Sequence, residues 1–409
     1  MSFVFSDAMN ALPSWLSFGK VRASYAEVGF VSDLRAYDIN RTYSLNSNTH
    51  LGRPLATFSS AGGNNGRIPN DELQPASSKE LEFGLDLRFF NGRIGLNATY
   101  YSQKTEDDIL RATISRASGF ANTDVNVGEL RNRGIELLLT GTPLKGNVTW
   151  DVAVNFAKNE NKVLTLLPGI TELAFEESRT RTTFIKHIQG MPFGMITGLT
   201  QKRSPDGQLV FDEDGSPIRS DAYEILGNGI ADWTGGINNS FTWKGINLSF
   251  LIDIKVGGEI HSGTNIRLDQ WGRSEQSLDG REGGKLISGV IESSPGVFEP
   301  ISMELTPDQA RNYWANLGER EGENYTYDAG FGKLRQITLG YSLPRTLLAN
   351  TPLQSVTLSF VGRNLAILWK HTPNIDPESA YSANAGAQGL EYFGMPVTRS
   401  YGFNLKVGF

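Results

Sequence analysis

The sequence has no cysteine, which excludes disulfides and thiolate metal sites. Histidine is scarce. His50, His187, His261 and His371 are scattered, and none pairs in the HExxH spacing of a zinc enzyme. No run of about 18 apolar residues occurs, so no helix is expected to cross a membrane. Basic clusters are missing and the net charge is −6, so nucleic acid is not an expected partner. The opening stretch, MSFVFSDAMNALPSWLSFGK, lacks the basic and apolar regions of a signal peptide, and a natural N-terminus further upstream is expected. Also absent are a GxSxG elbow, a phosphate loop and a dinucleotide fingerprint. The 44 acidic residues produce close pairs by chance, so no glycosidase pair can be nominated from spacing. Neither catalysis nor a cofactor is expected.

Hydrophobic residues make up only 39% of the chain. A loop-rich soluble β-protein would give that value. So would a barrel with a wet inner face, where only every second strand residue is apolar.

The residues that are present alternate. The stretch YGFNLKVGF puts Tyr401, Phe403, Leu405, Val407 and Phe409 on one face, and Gly402, Asn404, Lys406 and Gly408 on the other. INLSFLIDIKV repeats this with Ile246 to Val256, VTWDVAVNF with Val148 to Phe156, and LEFGLDLRF with Leu81 to Phe89. WLSFGKVRASY changes face near Gly19, as a bulge would make it do. Runs of this length exceed the ~5–6 residues of an ordinary strand and match the ~9–11 of a tilted membrane-spanning one.

The links alternate as well. Asn91 to Arg93, Pro143 to Gly146, and Lys244-Gly245 are short; segments 29–78, 105–130, 161–231, 259–330 and 369–396 are long and polar. Short turns on one side and long loops on the other is the layout of an outer-membrane barrel. Ten strands satisfy parity if 161–231 is one outer loop or holds an even number of extra strands. The expected fold is therefore all-β, an antiparallel transmembrane β-barrel with ten or more long strands. Its rival is a secreted or surface β-sandwich that binds glycans, with the apolar strand faces packed against a second sheet.

Several blocks resemble one family. WLSFGKVRASYAEVG, ELQPASSKELEFGLDLRFFNGRIGLNATYY, VGELRNRGIELLLTGTPLKG, LGNGIADWTGGINNSFTWKGINLSFLIDIKVGG and FGKLRQITLGYSLP are similar to the C-terminal barrel half of SusC/RagA-type TonB-dependent outer-membrane transporters of Bacteroidetes. That resemblance implies a full barrel of ~22 strands around a plug. It implies that residues 1–409 are the C-terminal part of such a barrel, with the plug and early strands absent, so that Met1 reads as an internal methionine. It implies uptake of a bulky glycan or peptide, a SusD-like surface lipoprotein over the mouth, and TonB acting through the missing part. Tyr401, Phe403, Leu405, Val407 and Phe409 resemble the C-terminal signal read by the barrel-insertion machinery. Outer-membrane lipid is then the surrounding solvent.

Candidate site residues fall into two groups. Trp271, Tyr313, Trp314, Tyr325 and Tyr327 lie in segment 259–330, where exposed rings could contact solute or pack the loop against itself. Inward polar residues such as Glu82, Asp86, Arg88, Glu136, Asp151, Asp253, Lys255, Arg335 and Arg363 would line a lumen or form cross-strand ion pairs. SPDGQLVFDEDGSP tempts a calcium reading. An EF-hand register would start at Val210 and end at Asp221, so the motif fails and reads as a hairpin with Asp-Gly turns; no metal is expected.

Overall fold

The computed structural model describes the chain except residues 10, 32–39, 61–66, 119, 121, 168, 321, 381 and 383–384. Ten long strands form one antiparallel sheet: β1 (Leu16–Phe30), β2 (Ala76–Phe89), β3 (Ile94–Thr113), β4 (Asn122–Lys145), β5 (Val148–Thr165), β6 (Trp233–Trp243), β7 (Ile246–Val256), β8 (Phe331–Ser342), β9 (Ser355–Lys370) and β10 (Ser400–Gly408). Each pairs with its neighbour in sequence, so every connection is a hairpin. The Ser2–Phe3 pair runs along the free side of β1 opposite Val21 and Arg22. The path is open: β1 and β10 do not pair with each other.

Register shows why the sequence takes this form. One row of partners crosses eight strands as Lys20, Asp86, Asn97, Leu138, Asn155, Gly236, Asp253 and Lys333. The adjacent row, one residue over, reads Gly19, Leu87, Leu96, Leu139, Val154, Ile237, Ile252 and Leu334. Side chains alternate across a pleated strand, so the first row shares a polar face and the second an apolar one. A one-residue slip in any strand would put its apolar set on the polar face, so the pattern fixes the register. The bulge expected near Gly19 lies between Leu16 and Phe18.

Among the described residues, much of the apolar face is left exposed. Phe83 is 49% exposed, Leu139 46% and Leu339 50%. The buried apolar clusters lie instead beyond the wall, around Val163 with Leu173, Ile185 with Leu390, and Ile266 with Tyr325. The sandwich alternative required a second sheet over these faces, and there is none among the described residues. One polar group on the apolar face has a dedicated partner. Asn239 is buried, its Oδ1 accepts from Trp150 Nε1 at 3.1 Å, and Trp150 stacks on Phe241 at 5.6 Å.

The links explain the topology. Lys244 and Gly245 have φ of +45° and +87°, the mirror-image turn that follows the twist of a two-residue hairpin. The long links are more structured than their polar composition suggests. Segment 105–130 is mostly not a loop: β3 and β4 stay paired from Asp108 with Val127 to Thr113 with Asn122. At ~3.4 Å per residue such strands overshoot a ~30 Å hydrocarbon core and project beyond it. Segment 161–231 holds four further strands, Glu172–Glu177, Thr183–Ile188, Met195–Gln201 and Arg219–Asn228, paired in that order. Segment 259–330 holds two helices, α1 (Gly263–Gln270) and α2 (Pro307–Arg320), and the hairpin Lys285–Ser294 with Val297–Leu305. These pieces build a lobe on the side of the long links.

Phe250 lies on the apolar face between Asn239 and Ile337. Phe250→Arg should destabilise the folded barrel by ~2–4 kcal/mol if the site lies at the bilayer midplane. Urea titration in lipid vesicles measures it, and an unchanged midpoint would contradict the face assignment.

Candidate functional site

The lobe is organised by two buried carboxylates. Glu391 accepts from Ser262 Oγ at 2.7 Å, from Thr264 Oγ1, and from the Gly394 N–H at 3.2 Å. Ser262 in turn caps α1 by accepting from the Asn265 N–H at 3.1 Å. Near the other end of α1, buried Asp269 accepts from Tyr325 Oη at 2.8 Å, from Ser274 Oγ and from Gln276 Nε2. Both carboxylates are satisfied by neutral donors, the condition for keeping such groups buried.

These contacts set the walls of a cavity of about 400 Å³ between α1 and α2. Trp271, Trp314, Arg281, Arg311 and Ser277 line it, with Asp269 at the back. Trp271 is 59% exposed and lies nearly parallel to Phe393, with ring centroids 6.1 Å apart and planes at 19°. Trp314 is fixed by a 3.0 Å hydrogen bond from Nε1 to the Asp279 carbonyl. Lys285 Nζ sits 4.7 Å from the ring centroids of both Tyr313 and Trp314, and 2.5 Å from Asp279. Two indoles beside two guanidiniums can hold a flat-faced, polar ligand unit.

The five aromatics proposed from sequence thus separate. Trp271 and Trp314 share the cavity. Tyr313 packs edge-on against Trp314. Tyr325 is completely buried, so it is core and not a contact surface. Tyr327 packs against Ile260, Ala329 and Ile375, and burial pushes its hydroxyl up to about 12. Helix formation brought the first two together, and no period-2 signal could have placed them.

On the wall, Glu82, Asp86 and Arg88 fall on the polar face of β2, and Asp253 and Lys255 on that of β7. Arg363 of β9 lies opposite Gln336 and Ser400. Arg22 crosses over Gly84 to reach Glu82 at 3.3 Å, Asp86 at 3.3 Å and Thr99 at 3.2 Å. A Cβ on Gly84 would lie 2.6 Å from that guanidinium, so the end of the Arg22 side chain would have to shift to admit one. Across the sheet, Arg335 bridges Asp253 and Glu378, and Lys333 meets Asp376 at 2.6 Å and Glu378 at 2.5 Å. Asp376 and Glu378 belong to the segment after β9. The sequence signalled no special role for them, because their partners, Lys333 and Arg335, lie on β8. At the calcium-like stretch, Asp212 Oδ1 accepts from the N–H groups of Asp214 and Ser216, so backbone turns use that carboxylate. The C-terminal residues Tyr401, Phe403, Leu405 and Val407 occupy one face of β10, at the open side of the sheet, with Phe409 just beyond its end.

The family model described as TonB dependent receptor-like, beta-barrel, matches residues 6–276. The chain belongs to that family. Its place is the outer membrane, and its wall is of the SusC/RagA type. TonB-dependent receptor P3 of Formosa agariphila is 28% identical over 367 residues, covering 82% of this chain and 35% of that protein. TonB-dependent receptor SusC of Bacteroides thetaiotaomicron is 28% identical over 288 residues, covering 67% of this chain and 26% of that protein. The RagAB peptide transporter structure superposes with a TM-score of 0.72 at 20% identity, covering all of this chain and 43% of that one. The chain therefore spans less than half the length of these relatives.

Two histidines hold the lobe together in their neutral form. His261 is buried between Thr182 Oγ1 at 3.4 Å and Thr326 Oγ1 at 3.3 Å, and His187 Nδ1 accepts from the Gly194 N–H at 3.3 Å. Burial lowers both from 6.5 to about 4. An unfolded lobe binds these protons near 6.5 and a folded one only near 4, so unfolding takes up protons between those values. Lobe stability is then full above neutral pH, falls as pH drops from about 6.5 to about 4, and falls no further from these groups below that. Limited proteolysis of detergent-solubilised protein should show cleavage within 172–228 rising over that window, and His261→Gln should flatten the profile.

Proposed function

We propose that the chain is the C-terminal part of an energised outer-membrane importer for a bulky solute. The reading rests on one observation. One largely polar face runs through eight consecutive strands, backed by an apolar face, with a built cavity in the lobe on the long-link side. In a closed barrel the polar face becomes the wall of the lumen, and Glu82, Asp86, Arg88, Asp253, Lys255 and Arg363 line it. A plug and the earlier strands, outside residues 1–409, complete the cylinder. TonB acts through that plug, and a SusD-like lipoprotein closes over the lobe. The insertion machinery reads Tyr401 to Phe409. Relatives named TonB-dependent receptors support this assignment.

Our reading of the solute is a glycan, because the exposed face of Trp271 and the ring of Trp314 match the apolar faces of sugar rings. In a complete receptor carrying this segment, Trp271→Ala should weaken oligosaccharide binding about tenfold, equivalent to ~1.4 kcal/mol. Calorimetry checks this, and tight binding of peptides alone would redirect the assignment.

Backbone pairing predicts the behaviour of the segment by itself. The open sides of β1 and β10 leave N–H and C=O groups without strand partners, at several kcal/mol each in lipid. Expressed alone, residues 1–409 should aggregate or be degraded; joined to the plug and early strands, they should insert. Heat-modifiable, membrane-inserted protein and solute uptake distinguish the two. Monomeric insertion with uptake by the bare segment would refute the division.

A further inference from the structure

We propose a second binding site, an oxyanion subsite for the acidic group of an oligosaccharide, on the polar face of β8 and β9. It deepens the importer reading and rests on it for the source of the ligand. A cavity of about 210 Å³ lies there, separate from the one between α1 and α2. Its lining includes Lys333, Arg335 and Arg399 against one acid, Asp376, with Ile367 and Val397 as apolar wall.

The cations differ in how they are engaged. Arg399 is exposed and makes no ion pair among the described residues. Arg363, exposed on β9 opposite Ser400, makes none either. Asn364 donates to the Thr398 carbonyl at 3.2 Å and so holds the stretch that carries Arg399. Lys333, only 5% exposed, is neutralised by Asp376 and Glu378. Glu378 also neutralises Arg335. Both carboxylates come from the segment after β9, not from the wall.

That segment acts as an internal stand-in for ligand. Its departure alone would leave the Lys333 ammonium buried without a counter-charge, which is strongly disfavoured. Departure in exchange for a carboxylate or sulfate of the solute replaces like with like. The same segment is tied to the lobe: Asn265 of α1 donates to the Pro373 carbonyl at 3.1 Å and accepts from Asn374 Nδ2 at 3.3 Å. Displacing it therefore reaches the helix that carries the first cavity. The 372–378 segment thus links the helix next to Trp271 with the cations beside Arg399. An acidic saccharide has a sugar face for the one and an acidic group for the other.

The test uses a complete receptor carrying this segment, titrated in detergent with sodium sulfate at constant ionic strength and followed by calorimetry. Arg399→Gln should weaken sulfate binding about tenfold, and the Asp376→Asn/Glu378→Gln double variant should tighten it about tenfold by removing the internal competitor. Lys20→Gln, which removes a cation paired with Asp86 elsewhere on the same face, should leave it unchanged. Arg399 is on the surface, so its variant reports on the site without a folding penalty. Trigalacturonate should displace sulfate, and maltotriose and triglutamate should not. Equal sulfate affinity in all variants overturns the subsite, and displacement by triglutamate alone overturns the saccharide assignment. Sulfate binding with the expected pattern but no energised uptake overturns the importer reading and leaves the subsite supported.

Discussion

Backbone hydrogen bonding in the absence of water governs this structure. Hydrocarbon offers no partner to an N–H or C=O, so a spanning chain must satisfy each group within itself. Among the described residues no helix is long and apolar enough to cross, and pairing between neighbouring strands satisfies the backbone groups of the wall. It requires each strand to keep one register with two neighbours. The row from Lys20 to Lys333 and its apolar companion from Gly19 to Leu334 are the outcome. The same requirement explains Asn239. A polar side chain on the apolar face cannot turn to solvent, and the indole N–H of Trp150 supplies its bond.

The lobe obeys different physics. There the chain meets water, and stability returns to buried apolar clusters and satisfied buried carboxylates. Ile266, Leu317 and Tyr325 form one such cluster between α1 and α2, and the Tyr325 hydroxyl reaches Asp269. The neutral imidazole of His261 spans two small sheets in the same way. The two buried imidazoles therefore give the lobe an acid-sensitive element.

This division explains what the sequence disclosed. Period-2 alternation is imposed by two solvents on two faces, so it survives in every spanning strand, and Ile246 to Val256 could be oriented from sequence alone. The fold class, the strand count and the short turns followed. The lobe has no such external template. Its helices are short, and the pairs that matter, such as Asn265 with Pro373 or Lys333 with Asp376, are separated by 108 and 43 residues. Hence composition alone reads the paired strands within 105–130 as loop and groups Tyr325 with exposed rings although it is core. The residues that shape both cavities, Asp269 and Asp376, looked like ordinary surface acids.

The junction between the two regimes is narrow. One segment, from Thr372 to Glu378, touches both: its carbonyl and amide groups meet Asn265, and its carboxylates meet Lys333 and Arg335. On the lobe side the contacts are neutral hydrogen bonds, typically contributing ~0.5–1.5 kcal/mol each. On the wall side they are charge pairs around a buried lysine, and breaking one uncompensated costs about 3–5 kcal/mol. The segment is thus held more firmly by the wall than by the lobe. Lobe movements can occur while it stays anchored. Freeing it from the wall without a replacement negative charge would leave Lys333 buried and unpaired, so the charge pairs, and not the neutral contacts to the lobe, set how firmly the segment is held.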